Sequence, residues 1–490
     1  MSTIKGSLNR QLVPSWRTWD VHVKDAEDVA ATNIIPSDPA LLNFQISEYQ
    51  EKPNVGRASE LISTAIVTNQ ISDSIVEISR EILSQRIESP ILFEVASQIV
   101  SGRRSNSHQG ELPAPQTQTI ASLRRNLKFS PRNAIRWADL SRLYLTIGEL
   151  GKANRAMAVA LQLSPNHIYI LRANSTLLWQ QGLLDKAVDI LNSRERSISD
   201  PRLLAPLIAL SDLSKSRIPS IRNGMKVISD GNFSKNQTSE LLAAIATLEI
   251  ANGSVKKGVK LFRQGLEAPT DNVLAQAIWL SDEKKIHIID EIPQDIKHVY
   301  EAASRQLALR LEWPAAVVEA KGWIADQPYS TQAATHGSWS ASEARDWPTG
   351  IDFAEKGLKI NPLDPILLNN HAYLLIQNGN PSAAKSFLED AKKVSTDNLV
   401  SGVITATEGL FSFRSGDAAR GRLLYLNSID QFITKQSWSR ALDASIRLAI
   451  EELRIRSAYS EEAVRRVYAL ASKSTDLRVK RHLEWMEELV

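Results

Sequence analysis

The chain has 490 residues, 58 Lys and Arg against 55 Asp and Glu, a formal charge of +3, and no Cys. Ordinary apolar and charged fractions, 43% and 23%, exclude wholesale disorder, and the near balance of charge argues against a protein that coats DNA. The missing Cys excludes disulfides, cysteine nucleophiles, iron–sulfur clusters and Cys-ligated zinc.

Length alone allows about three ordinary domains. The N-terminus has no apolar stretch of signal-peptide length, and Arg10 interrupts the best candidate. No window approaches the roughly 18 to 20 apolar residues that cross a bilayer, so a cytoplasmic protein without membrane contact is expected. Residues 1–57, with Trp16, Trp19, Asp20, His22, Asp25 and Asp28, read as a capping or docking segment, being short for an enzyme domain. Residues 58–133 read as degenerate helical repeats, with Leu61, Ala65, Thr68, Glu77 and Glu81 in loose register. A Ser-, Gln- and Pro-rich run at 101–118 inside them reads as a flexible linker.

From residue 134 the chain is periodic. Numbering 134–167 from Ala134 puts Trp137, Leu140, Ser141 and Tyr144 at positions 4, 7, 8 and 11. Ala153, Met157, Ala160 and Pro165 then fall at 20, 24, 27 and 32. The first set shares one helix face and the second set another. Small residues at 8 and 20 let two helices approach, Gly148 opens the turn between them, and Pro165 ends the second. This unit resembles the tetratricopeptide repeat, whose period is about 34 residues. It departs from the family pattern at Ser141 (for Gly) and Met157 (for Phe).

The register continues through 168–201 (Leu171, Ser175, Leu178, Gly182, Ala187, Leu191) and 202–235 (Ala205, Ile208, Ala209, Ile221, Met225, Ile228). After a short slip it resumes at 239–272 (Leu242, Ile245, Ala246, Gly253, Gly258, Phe262). Residues 273–296 read as an irregular break. The pattern returns in 297–330 (Tyr300, Ser304, Leu307, Ala316, Ala320), 331–364 (Ala334, Ser338, Ala341, Gly350, Ala354) and 365–398 (Leu368, Ala372, Leu375, Ala384, Leu388). Trp313-Pro314 and Trp347-Pro348 occupy equivalent positions, where Pro opens a second helix at little cost. Weaker units at 402–435 and 445–478 follow, and 479–490 reads as a polar capping helix. The resemblance implies an all-α, right-handed superhelix, an α-solenoid of helical hairpins in two lobes, 134–272 and 297–478.

No phosphate-binding loop, dinucleotide fingerprint or nucleophile elbow occurs, and no two His stand four apart as a zinc helix needs. His371 falls at core position 7, and pairs such as Glu451-Glu452 read as solvated helix faces. No catalytic residue, metal or cofactor is therefore expected. The basic pairs Arg103-Arg104, Arg124-Arg125, Arg465-Arg466 and Lys480-Arg481 are dispersed and diluted by Glu, unlike the single basic face of a nucleic-acid binder.

The resemblance implies a ligand site on the concave face, lined by first helices at positions 2, 5, 6, 9, 12 and 13. That register selects Arg142, Tyr169, Arg172, Thr176, Trp179, Arg305, Trp339, Asn369, Asn370 and Tyr373. Trp, Tyr and Arg are the usual interface anchors. Asn369 and Asn370 could hydrogen-bond an extended peptide, whereas the lysines of a carboxylate clamp are not evident. The structural alternative has Trp179 and Trp339 packing on a neighbouring repeat or on the N-terminal segment. The expected function is a non-enzymatic scaffold or regulatory subunit that binds a protein or peptide in its groove. The rivals are a subunit of a nucleic-acid-acting complex touching RNA or DNA through dispersed Arg, an enzyme with its site in residues 1–57 or at 281–296, and a peptide-sensing regulator.

Overall fold

Local signals fix the helix ends. Asn133, Asp200, Ser234, Thr270, Ser330, Asp364 and Asp397 cap helix starts by accepting a first-turn backbone N–H on the side chain. The computed structural model describes residues 12–16, 39–53, 57–58, 61–62, 65, 71–84, 90–101 and 120–490. Within the last stretch 194, 195, 218, 220, 290, 294, 295, 297 and 475 are excepted. The expected linker at 101–118, apart from Ser101, lies outside the described residues, as do Trp19, Asp20, His22, Asp25 and Asp28.

Contacts divide the chain into two compact units, 18–119 and 1–17 joined with 120–490. The first contains α1 (Pro39–Glu51), α2 (Asp73–Ser84) and α3 (Pro90–Ser101). Leu42, Tyr49, Leu61, Ala65, Ile75, Ile82 and Ala96 form its core. This division differs from the boundaries expected at 57 and 133, because Ile120–Phe129 packs with the repeats through Leu123, Leu127 and Leu140.

The second unit is a stack of helical hairpins. In chain order its helices are α4 (Ile120–Phe129), α5 (Ala134–Thr146), α6 (Leu150–Leu163), α7 (Ile168–Gln180) and α8 (Leu184–Asn192). Then come α9 (Arg196–Ser199), α10 (Pro201–Leu213), α11 (Ile221–Ser229), α12 (Lys235–Ala251), α13 (Val255–Gly265) and α14 (Asp271–Lys284). The stack continues with α15 (Tyr300–Leu309), α16 (Trp313–Asp326), α17 (Thr331–Glu343), α18 (Trp347–Ile360), α19 (Pro365–Gln377) and α20 (Pro381–Val394). It ends with α21 (Asn398–Arg414), α22 (Ala418–Thr434), α23 (Trp438–Arg454), α24 (Ser460–Ala471) and α25 (Leu477–Glu487). Among the described residues there is no strand, and no helix is long and apolar enough to cross a membrane. The unit is an all-α solenoid.

The repeat register explains the packing. Leu140, Ser141, Ala153, Met157 and Ala160 are all buried where α5 crosses α6. Serine at position 8 does more than stay small. Ser141 Oγ donates to the carbonyl of Ala153 at position 20, 2.8 Å away, and Ser304 Oγ does the same to Ala316, also at 2.8 Å. The hydroxyl thus fastens the two helices where Gly would only let them approach. Trp313-Pro314 and Trp347-Pro348 open α16 and α18 as expected. Position 15 needs a left-handed residue: Gly148 and Gly182 supply it, and Leu311 and Arg345 adopt the same turn at φ +64° and +58°.

Two expectations need correction. The break at 273–296 is narrower, because Thr270 and apolar Val273, Leu274, Ala277, Ile278 and Leu280 make α14 a regular first helix. Its second helix is replaced by an irregular run in which Ile289, Ile292, Ile296 and Val299 cover Leu274 and Ile278. Asp271 Oδ1 accepts the backbone N–H of Ala302 at 3.1 Å, so the stack runs on from α14 to α15. The polar C-terminal helix, in turn, does more than close the end of the stack. It packs on α23 and reaches back to Glu343 at the end of α17.

The stack also curls until distant parts meet. The α5–α6 turn touches the end of α18, where a Cβ on Gly148 would stand 2.4 Å from the Lys359 carbonyl oxygen. Tyr329 and Ile360 share a core with Ala134, Ala138 and Ala173.

Candidate functional site

The inner face of this curl is built by α7, α12, α14, α15 and the α16–α17 turn, and it is occupied. Residues Leu12–Trp16 run through it without helical structure. Leu12 and Val13 enter the core formed by Leu204, Leu241, Val273 and their neighbours. Trp16, 1% exposed, sits with Ala134, Ala138, Ile170 and Tyr329. Its ring lies 5.7 Å from that of Tyr329.

The polar contacts run from groove side chains to the main chain of the segment. Thr176 Oγ1 on α7 donates to the Pro14 carbonyl at 2.9 Å. Asn272 Nδ2 on α14 donates to the Val13 carbonyl at 3.2 Å. The Trp16 N–H donates to the Tyr329 hydroxyl. Proline offers no N–H, so an extended Pro14 leaves no donor needing a partner there. The space left beside Val13–Ser15 is a cavity of about 20 Å³, room for about one water.

The charges on this face are paired with one another. Arg172 Nη2 meets Glu240 Oε2 at 2.8 Å, and its Nη1 donates to the Arg202 carbonyl. Glu240 Oε1 accepts from Asn272 Nδ2 at 3.2 Å, which orients the amide toward Val13. Arg305 Nε meets Glu301 at 2.9 Å and its guanidinium lies 5.3 Å from the Trp323 ring. Tyr169 donates to Asp139 Oδ1 at 2.9 Å. Burial, then the Asp139 charge, push its hydroxyl well above the usual phenol range. A face so balanced suits an uncharged occupant.

The register-selected residues therefore divide. Tyr169, Thr176 and Trp179 border Leu12–Trp16. Arg172 stands one bond behind, through Glu240. Arg142 is buried near Tyr169, and Arg305 pairs with Glu301, which lines the same cavity. Trp339, Asn369, Asn370 and Tyr373 are not open to solvent, as a vacant groove would require: all are 2% exposed or less. Asn370 Nδ2 donates to Ser338 Oγ of the preceding unit at 3.2 Å. Trp339 packs edge to face on Trp313 at 5.2 Å, with the Arg478 guanidinium 5.5 Å over its ring. Tyr373 accepts from Arg447 and Gln377.

The C-terminal helix, through Arg478, supplies the cover over Trp339. His482 Nδ1 contacts Asp443 Oδ1 and its Nε2 contacts Glu343 Oε2, both at 2.7 Å. Trp485 stacks on His482 and lies under Arg345 and Arg447. Arg481 donates to the Leu311 carbonyl. Sequence reasoning missed Asn272, Tyr329 and this ionic cluster. A charge-free Leu-Val-Pro-Ser-Trp run in a polar N-terminus was the available signal for the occupant.

Helical hairpins in a 34-residue register, packed around a non-helical segment, define the class: an all-α solenoid of repeated helical hairpins. No protein-family model matches the chain, and no curated protein matches it. Among solved structures it is similar to yeast Tom70, at 13% identity over 76% of this chain and 91% of that one, with a TM-score of 0.30. It is also similar to a tetratricopeptide repeat protein from Parabacteroides merdae, at 13% identity over 61% and 93%, TM-score 0.25. A third similarity is to the TPR2AB domain of yeast Sti1 in its pHSP90 complex, at 13% identity over 59% and 98%, TM-score 0.21.

Proposed function

We propose that the protein is a non-enzymatic scaffold or regulatory subunit whose inner face holds an extended segment of another protein. The observation that carries this reading is the seat of Leu12–Trp16, where Thr176 and Asn272 reach main-chain carbonyls that any extended peptide also has. Preorganised helices lower the ordering cost of such binding. The arginines support a protein partner over RNA or DNA: Arg172, Arg305, Arg414, Arg422 and Arg478 each meet a carboxylate. The working compartment in this reading is the cytoplasm, and no cofactor is needed.

The test places a photo-crosslinking amino acid at position 179, beside the seat, and at the exposed position 186 as a control. In its native cell the 179 variant should form an adduct with a discrete second protein that the 186 variant lacks. Adducts at 186 only, or at neither position, would remove the groove assignment.

A further inference from the structure

The seat described above is filled by the chain itself, and its geometry says what it was shaped to take. Val13 and Pro14 are held through their carbonyls, which are independent of side-chain identity. Selectivity must then come from the two ends. At one end Trp16 fills a slot walled by alanines (Ala134, Ala138 and Ala173) with Tyr329 against it. At the other, Leu12 and Val13 fill an aliphatic pocket. Between them stands a proline, already restricted to the extended backbone.

Resting on the groove reading above, we propose that Leu12–Trp16 is an internal stand-in for the partner. The groove takes an uncharged segment of the pattern apolar-apolar-Pro-x-Trp, and a partner gains the seat only by displacing the chain's own copy. Net charge supports the choice of occupant. Residues 12–16 carry none, and the groove arginines Arg172 and Arg305 are neutralised by Glu240 and Glu301. The cavity beside the segment, about 20 Å³, leaves no room for both peptides at once. A tethered segment acts at an effective concentration on the order of millimolar. A micromolar partner therefore competes poorly until the internal copy is weakened.

The test uses the full chain and a fluorescent synthetic peptide with the sequence of residues 9–19, followed by anisotropy. The native chain should bind it weakly. Trp16→Ala removes the internal anchor and should tighten binding at least tenfold. Adding Thr176→Val and Asn272→Ala should abolish that gain. Equal binding by the native and Trp16→Ala chains overturns displacement while leaving the groove reading standing; binding by neither overturns both. Should Trp16→Ala fail to fold, hydrogen exchange on the native chain decides. Saturating peptide must speed exchange of the Trp16 amide, now held by Tyr329, and an unchanged rate overturns the proposal.

Discussion

Replacing His482 with Ala should release the C-terminal helix from α17 and α23 and change the pH dependence of stability. His482 bridges Glu343 and Asp443 at 2.7 Å each, and the three residues are 2%, 8% and 1% exposed. Its loss leaves two buried carboxylates facing Arg447, 3.6 Å from Asp443, and Arg478. Removing one partner of a buried ionic cluster costs about 3–5 kcal/mol, and the remaining arginines favour the lower end.

The pH sign follows from opposing effects. Burial by itself depresses the His482 imidazole, but Glu343 and Asp443 outweigh it and raise the folded pKa above the ordinary value. Its contribution is complete below about pH 6.5, the unfolded histidine value, and is lost as pH rises through the raised folded one. Burial also opposes ionisation of Glu343 and Asp443, yet the neighbouring cations win and lower both. Their contribution is present above about pH 4 and is lost as pH falls through their depressed folded values. Urea unfolding followed by helical circular dichroism, from about pH 6 to 9, should show an alkaline loss in the native chain that His482→Ala lacks. An identical alkaline slope in the variant, or a cost at pH 6 below about 1 kcal/mol, would show that His482 does not carry charge between the two carboxylates.

Ser141→Ala and Ser304→Ala should each cost about 0.5–1.5 kcal/mol in urea unfolding, whereas position-8 Ala209, which offers no hydroxyl, should accept Ser without a comparable gain. Gly148→Ala should cost about 1–3 kcal/mol, because its φ of +76° disfavours a side chain and its Cβ would meet the Lys359 carbonyl. Gly182→Ala meets nothing within 4 Å, so thermal melts of the two variants isolate the contact between the α5–α6 turn and α18. Glu451 and Glu452, expected on a solvated face, are both buried, and Glu452 is bound by Arg422 through two nitrogens. Arg422→Ala should cost about 3–5 kcal/mol and speed hydrogen exchange in α23 and α24.

The repeat was legible because a helical hairpin leaves small and large residues at fixed spacing, as Ser141, Ala153 and Met157 do in every detail. The inner face was legible only as a set of positions. Thr176 and Trp339 both have inward register positions, yet one touches Pro14 and the other lies beneath Arg478. Register reports which way a side chain leaves its helix. It does not report what a segment hundreds of residues away lays over it, and the hydrogen bond from Trp16 to Tyr329 spans 313 positions. The run after α14 was legible as irregular but not as a cover for that helix, because isoleucines covering a helix need no period.

The extended segment also bears on how the molecule forms and comes apart. A solenoid ordinarily gains stability from neighbour to neighbour, so it can fray from either end and nucleate anywhere. Here Leu12–Trp16 ties α7, α14 and the α16–α17 turn together, and α25 ties α23 back to α17. These ties make the array cooperative across repeats that do not touch in sequence. They also place the costliest loop closures last, because no tie can form before the repeats it joins. Refolding should therefore end in a slow step in which a nearly complete stack waits for the chain's own N-terminal segment to thread its centre.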